Sequence, residues 1–199
     1  MLAIIDRKAN LSLLVSLETK EFEERRLLIQ GEITQESAFE FARAMRYLNS
    51  CSKTETIDIY INSPGGNIDA GMLYYDVIQS SPAPVRMFCL GCAYSMAALI
   101  FSCGQKGSRF MLPNSKLMLH EPLISSPITG NTTSIKSISE DLLSARTKVN
   151  ELLSRHTGKS VKEIEEATKY DHYFSAEESV SFGLCDRIVE FSEMTEEVV

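Results

Sequence analysis

From Val85 to Cys103 the chain carries a single charge, Arg86. So apolar a run belongs inside a folded core, yet a serine stands in it, in GCAYSMAALIF (Gly91 to Phe101). A buried hydroxyl needs a hydrogen-bond partner or a chemical task. The run is interrupted by Gly91 and Ser95, and its first half, VRMFCL, reads as a strand, so it is better understood as core than as a membrane span. Gly91 turns the chain, and Ala93, Ala97 and Ala98 suit a closely packed helix beginning near Ser95.

The flanking sequence has the same alternation. RLLIQ gives a strand over Arg26–Gln30 closed by Gly31. Thr34 caps a helix to about Asn49, with Ala38, Phe41, Ala42, Met45 and Leu48 on one face. IDIYIN (Ile57–Asn62) is a strand stopped by SPGG. Asn67–Ser80 is a helix, and RFML and KLMLH are short strands. Strand and helix in turn specify an α/β protein with parallel crossovers. At 199 residues it forms one domain and buries about 70% of its unfolded surface, so it needs no covalent staples.

Pro122–Thr133 is a loop or hairpin. Beyond it, Ile135, Ile138, Leu142, Ala145, Val149 and Leu152 mark an amphipathic helix from about Ser134 to His156, stopped by Gly158. Capping boxes follow at Ser160/Glu163 and Ser175/Glu178, Gly183 ends the last helix, and LCDRIVEF (Leu184–Phe191) is a closing strand.

Charge and cysteine usage narrow the function. A net charge of -7 argues against nucleic acid or an anionic membrane as partner. Five cysteines without paired spacing, and three histidines, give no zinc pattern and fit reduced thiols in a cytoplasmic protein. LSLLVSL (Leu11–Leu17) is too short for a signal-peptide core, and an acidic stretch follows it.

Ser95, after a strand and a glycine and at a helix start, is placed as a nucleophile would be, although G-x-S-x-G is absent. SPGGNIDAG (Ser63–Gly71) lacks both phosphate-binding glycine patterns and suits an oxyanion hole of backbone N–H groups. A serine needs a base. His120 ends an apolar strand, whereas His156 ends an exposed helix and His172 lies in a polar loop. The third group, which orients the imidazole, is left open among Asp58, Asp69, Asp76, Asp141, Asp171 and Asp186.

YINSPGG followed by AGM, GCAYSMAA, LPNSKLMLHEP, NELLSRHTG and DHYFSAEESVSFGLCD occur in that order over about Arg26–Phe191. This set resembles the proteolytic subunit of the Clp protease, a caseinolytic serine peptidase of the crotonase-like superfamily. The resemblance implies stacked ββα units with a protruding strand-helix handle, over about residues 122–156, and an N-terminal pore segment, residues 1–20. It implies a Ser95–His120–Asp171 triad, with Gly66 and Met96 giving oxyanion N–H donors, and no metal or cofactor. It further implies two stacked seven-membered rings, alone or mixed with a paralogous subunit, fed with unfolded polypeptide by an ATP-driven AAA+ unfoldase. Tyr47, Asp58, Tyr60 and Ser80 fall at the unfoldase docking pocket. Asp58 and Ser80 stand where relatives carry aromatics, which makes that pocket poorer in apolar surface and leaves a carboxylate to be buried. Two further departures are the single glycine, Gly130, in ISSPITGNTT and Lys169-Tyr170 in place of an acid-Arg pair. A non-catalytic ring subunit, or a hydratase or isomerase of the superfamily, is the rival reading.

Overall fold

The computed structural model describes residues 3–8, 11–124 and 127–195. In chain order it opens with strands β1 (Ala3–Lys8) and β2 (Leu11–Ser16), an antiparallel hairpin, then helix α1 (Leu17–Glu23), capped by the Ser16 side chain. Of the expected pore segment, Met1, Leu2, Ala9 and Asn10 lie outside the described residues. Next come β3 (Arg26–Ile33), α2 (Gln35–Cys51), β4 (Ile57–Gly66), α3 (Ile68–Gln79) and β5 (Val85–Tyr94). Then follow α4 (Met96–Ser102), β6 (Arg109–Met111), β7 (Lys116–Leu119) and α5 (Thr132–Thr157). The chain continues through α6 (Val161–Thr168), β8 (His172–Phe174), α7 (Ala176–Phe182), β9 (Arg187–Ile188) and a 3₁₀ turn, η1 (Phe191–Thr195).

Strands β3, β4, β5, β6 and β9 pair in that order, all parallel. The second half of β5 leaves β6 and pairs with β7, through Cys92↔Lys116 to Tyr94↔Met118, and β8 adds antiparallel to β7. The sheet thus forks at Gly91. The chain is an α/β protein with a mostly parallel sheet, as the sequence alternation required.

Ile57, Ile59 and Ile61 of β4 are wholly buried against α2 and α4 residues such as Met45, Leu99 and Ile100. Each such side chain contributes on the order of 1.5–3 kcal/mol of burial. The buried face of α2 is Ala38, Phe41, Met45 and Leu48, and its capping box forms at Thr34, with Ser37 as the reciprocal partner.

Glycines do not end the strands as expected. Gly31 is a bulge within β3, at φ 74°, after which Ile33 returns to the core. SPGG lies inside β4, with Gly65 at φ 93° and Gly66 at φ 152°, and β5 continues through Gly91 at φ 96°. Left-handed conformations there redirect a strand without stopping it. The expected closing strand over Leu184–Phe191 is only two residues long, because β6, its sole partner, offers Phe110 and Met111 and then ends.

Both capping boxes form, and Gly158 and Gly183 close their helices in the left-handed conformation. Helix α5 packs through Val149, Leu152 and Leu153, whereas Ile135, Ile138 and Leu143 stand exposed. Of the loop before it, Ser125 and Ser126 lie outside the described residues. The described part between Glu121 and Asn131 forms no strand, since no neighbouring strand is there to supply a ladder. Of the described residues in the segment expected to be a handle, Thr132–Thr157 are helical. Among the described residues no helix is long and apolar enough to cross a membrane.

Candidate active site

Ser95 follows β5 directly and is the N-cap of α4, yet its hydroxyl makes no cap hydrogen bond. Its backbone sits at φ 55°, ψ -123°, a conformation that costs a non-glycine residue of order 1–3 kcal/mol and persists only where its surroundings over-determine it. The surroundings here are specific. The Ser95 N–H donates to the Met118 carbonyl at 2.8 Å, which fixes the turn to β7. Gly65 lies so close that a Cβ there would come within 2.6 Å of the Tyr94 carbonyl and 2.9 Å of Ser95 Cβ. Gly71 on α3 leaves the room that the Met96 side chain fills.

Freed from capping, the Ser95 hydroxyl lies 2.8 Å from His120 Nε2. His120 is the residue after β7, and Glu121 N donates to the Thr168 carbonyl at 2.7 Å, which holds that strand end against the end of α6. The antiparallel pair Leu119↔His172 sets Asp171 beside the ring, with Oδ1 at 3.2 Å from Nδ1. An ionised carboxylate only accepts, so Nδ1 carries the proton and Nε2 is free to accept from the serine. The imidazole is largely enclosed, while Asp171 is the most open of the three.

The other aspartates are placed elsewhere. Asp58 accepts both Nε and Nη2 of Arg86 at 2.7 Å, so the carboxylate that the sequence left unpaired is matched across the strand pair Asp58↔Arg86. Asp186 binds Arg109 Nε and Nη2 as well as the N–H groups of Gly107 and Arg109. Burial alone would raise the Asp186 carboxyl, but Arg109 and the two N–H donors hold it below the usual carboxylate range. Asp69 and Asp76 lie on α3 and Asp141 on α5.

The cleft above the serine has a volume of about 520 Å³, lined by Glu32, Pro64, Gly66, Asn67, Leu123 and Leu142 beside Ser95 and His120. Gly66 lies on its wall; a Cβ there would collide with Ile33, so only glycine keeps this approach. Met96 lies below, in a small apolar pocket of about 20 Å³ with Ile68, Leu99, Leu119, Val149 and Leu153.

Two serines that the sequence reading passed over brace the site. Ser63 Oγ donates to the Gly31 carbonyl at 2.6 Å and accepts the Gly65 N–H, tying the β3 bulge to SPGG. Ser115 Oγ donates to the Cys89 carbonyl and accepts from Gly91 N at 2.8 Å, holding the fork of the sheet. Small polar residues beside positive-φ glycines were the available signal.

His156 is not at an exposed helix end: it is half-buried, with Nε2 2.9 Å from the Tyr75 hydroxyl. Burial, then Arg109 and Arg155, lower its pKa. His172 is in β8, stacked on Phe174. The four docking residues lie on three parts of the fold. Tyr47 is exposed on α2 and stacks on Phe22, beside a cavity also bordered by Arg43, Ala44 and Ser50. Asp58 and Tyr60 lie on β4, and Ser80, past α3, donates to the Asp76 carbonyl.

Among the described residues no group of His, Cys, Asp and Glu is arranged to hold a metal ion. The family model for Clp protease matches residues 13–192, a span that contains Ser95, His120 and Asp171 and every strand of the forked sheet. By that match over nine-tenths of its length, this chain belongs to the Clp protease family, a family of serine peptidases.

Proposed function

We propose that the chain is a serine endopeptidase that works inside a closed chamber, with Ser95 as nucleophile, His120 as base and Asp171 as its orienter. One observation carries this reading: an N-cap serine in a strained conformation turns its hydroxyl away from its own helix and onto a histidine already oriented by a carboxylate. His120 Nε2 takes the hydroxyl proton as Ser95 Oγ attacks the peptide carbonyl. The negative charge on the carbonyl oxygen is met by the backbone N–H groups of Gly66 and Met96. The imidazolium, steadied by Asp171, gives the proton to the leaving amine, and an acyl-serine remains. Water, deprotonated by His120, then releases the acid and restores the serine. No cofactor takes part.

Several features support the chamber. Ile135 and Ile138, on the face that carries Val149 and Leu152 farther along α5, are not covered by the chain itself, which suits pairing with other copies in two stacked rings of seven. Feeding by an AAA+ unfoldase, which hydrolyses the ATP, confines an unspecific peptidase to unfolded polypeptides, and a paralogous subunit is a candidate ring partner. Buried thiols suit a reducing cytoplasm: burial raises those of Cys103 and Cys185 to about 12.

The test is cleavage of a short fluorogenic peptide by the wild type and Ser95→Ala. Losing one hydroxyl leaves the packing nearly intact, and removal of a serine nucleophile costs on the order of 10⁶ in kcat where measured. Substantial turnover by a folded Ser95→Ala protein would contradict the assignment.

A further inference from the structure

The cleft over Ser95 is lined by two kinds of residue. The segment after His120 and helix α5 supply Pro122, Leu123, Ile124 and Leu142, all apolar. Strand β3 and the SPGG turn supply Glu32, Gly66 and Asn67. Of all the lining residues only Glu32 and His120 have ionisable side chains. His120 is committed to Ser95 and Asp171, so Glu32 is the one charge on the cleft wall without a task in the triad.

The chain holds Glu32 at this place. The register of β3 on β4 shifts by one between Gln30 and Glu32, which sets Glu32 opposite Gly65 and Ile33 opposite Gly66. Just before Glu32, the Gly31 carbonyl accepts from Ser63 Oγ at 2.6 Å; just after it, the Ile33 carbonyl accepts from Asn67 N at 2.9 Å. The backbone on both sides of Glu32 is thus tied to the turn that carries Gly66. Asn67, the other polar side chain at this end, is used up: its Oδ1 accepts from Ala70 N at 2.9 Å and from the Gln35 amide at 3.2 Å. The Glu32 carboxylate, by contrast, is exposed, and no hydrogen bond or ion pair among the described residues engages it. An exposed carboxylate is ordinarily only a solvated group. This one lies along the path of whatever reaches Ser95.

We propose that Glu32 sets a charge preference in the cleft, and that the favoured substrates carry Lys or Arg within three residues of the scissile bond. This deepens the peptidase reading and rests on it. A long cationic side chain suits both kinds of lining at once, because its methylene stem can lie on apolar surface while its head reaches the carboxylate. An acidic side chain in the same place would meet a like charge. The net charge of -7 acts in the same direction at longer range. One exposed ion pair changes binding by about two- to fivefold, and repulsion of the wrong charge widens the contrast, so Lys should be favoured over Glu by about tenfold.

The probes are internally quenched peptides of one neutral sequence. A single Lys or Glu is placed in turn at each of three positions on either side of the cleaved bond, which mass spectrometry locates. They are compared on the wild type, Glu32→Gln and Glu32→Lys, with circular dichroism to confirm folding; Glu32→Gln, nearly isosteric, carries the test if Glu32→Lys does not fold. At one or more positions kcat/KM should favour Lys about tenfold on the wild type. KM should carry most of that ratio, since the pair is made in ground and transition states alike. The ratio should fall to near one in Glu32→Gln, invert in Glu32→Lys, and shrink on the wild type at about 1 M salt, where charges are screened beyond about 3 Å. A merely structural glutamate would lower turnover of both peptides together. No Lys preference at any position, or one that survives Glu32→Gln, would overturn the proposal. If no peptide is cleaved, fluorescein-labelled copies are titrated onto the same proteins by anisotropy. A Lys preference in binding that Glu32→Gln removes would uphold Glu32 and count against the peptidase reading alone; equal binding would overturn the proposal.

Discussion

The two halves of α5 have the same apolar period and opposite fates. In the second half Val149, Leu152 and Leu153 are buried beneath the cleft, and Val149 and Leu153 floor the small pocket under Ser95. In the first half Ile135, Ile138 and Leu143 face solvent. A hydrophobic stripe says that a face is meant to be covered, not by what. At the site end the chain supplies the cover itself, and the triad geometry is complete within one chain. At the other end the chain supplies no cover, and under the proposed function it comes from another copy. Substitutions at the two ends should separate accordingly, into losses of chemistry or folding and losses of assembly.

The largest effect is expected at the site. Asp171→Asn leaves the fold intact and should lower kcat by about 10⁴, the cost measured in the serine-protease template when the orienting carboxylate is lost. Asp186→Asn is its control: the folded fraction should keep its turnover. Breaking a nearly buried pair of this kind costs about 3–5 kcal/mol, read as an earlier urea midpoint. Similar kinetic losses in both variants would remove the reason for assigning Asp171.

The helix itself comes next. Leu152→Ala, in the covered half, should destabilise by about 2–5 kcal/mol, because it empties a closely packed site. Leu143→Ala, nine residues earlier on the same helix, should stay within about 0.5 kcal/mol in denaturant titrations. Ile138→Asp should likewise leave the chain folded but shift sedimentation towards smaller species. If Ile138→Asp unfolds the chain, or leaves sedimentation unchanged, the division of the helix is wrong.

The smallest effect concerns pH, at the end of the covered half. His156 has a lowered pKa in the folded chain because burial, then Arg109 and Arg155, disfavour its imidazolium; Tyr75 faces it from α3. The unfolded chain therefore binds a proton at higher pH than the folded one. The stability this gives is fully present above about pH 6.5, the ordinary histidine value, and is lost as pH falls from there through the folded pKa. His156→Gln, which can still reach the Tyr75 hydroxyl, should flatten the dependence of Tm on pH between about 7.5 and 5.5. An unchanged slope would show that His156 does not titrate with folding.

Much of this was legible in the sequence wherever a periodic face or a cap carried the signal. The face Ala38, Phe41, Met45 and Leu48, the serine-glutamate capping boxes and the Gly158 stop are all local chemistry. So was the placing of Ser95 between strand and helix. Whether a glycine ends a strand or bends it is not legible: in sequence Gly31, Gly65 and Gly91 look like stops, but neighbouring strands and the hydroxyls of Ser63 and Ser115 keep the ladder going past them. Partners distant in sequence were hidden for the same reason. Nothing near Asp58 announces Arg86 across the strand pair, and nothing near His156 announces Tyr75. The choice of Asp171 over its rivals came from the resemblance; the β7–β8 pairing supplies the physical reason for it.

In the proposed mechanism everything turns on His120 activating Ser95. The direct measurement is labelling of the native protein with a fluorophosphonate at neutral pH, followed by mass mapping of the modified peptide. Labelling should fall on Ser95, disappear in Ser95→Ala, and slow by orders of magnitude in folded His120→Ala, because an unassisted serine hydroxyl is a poor nucleophile. A label on another serine, or an undiminished rate without His120, would contradict it.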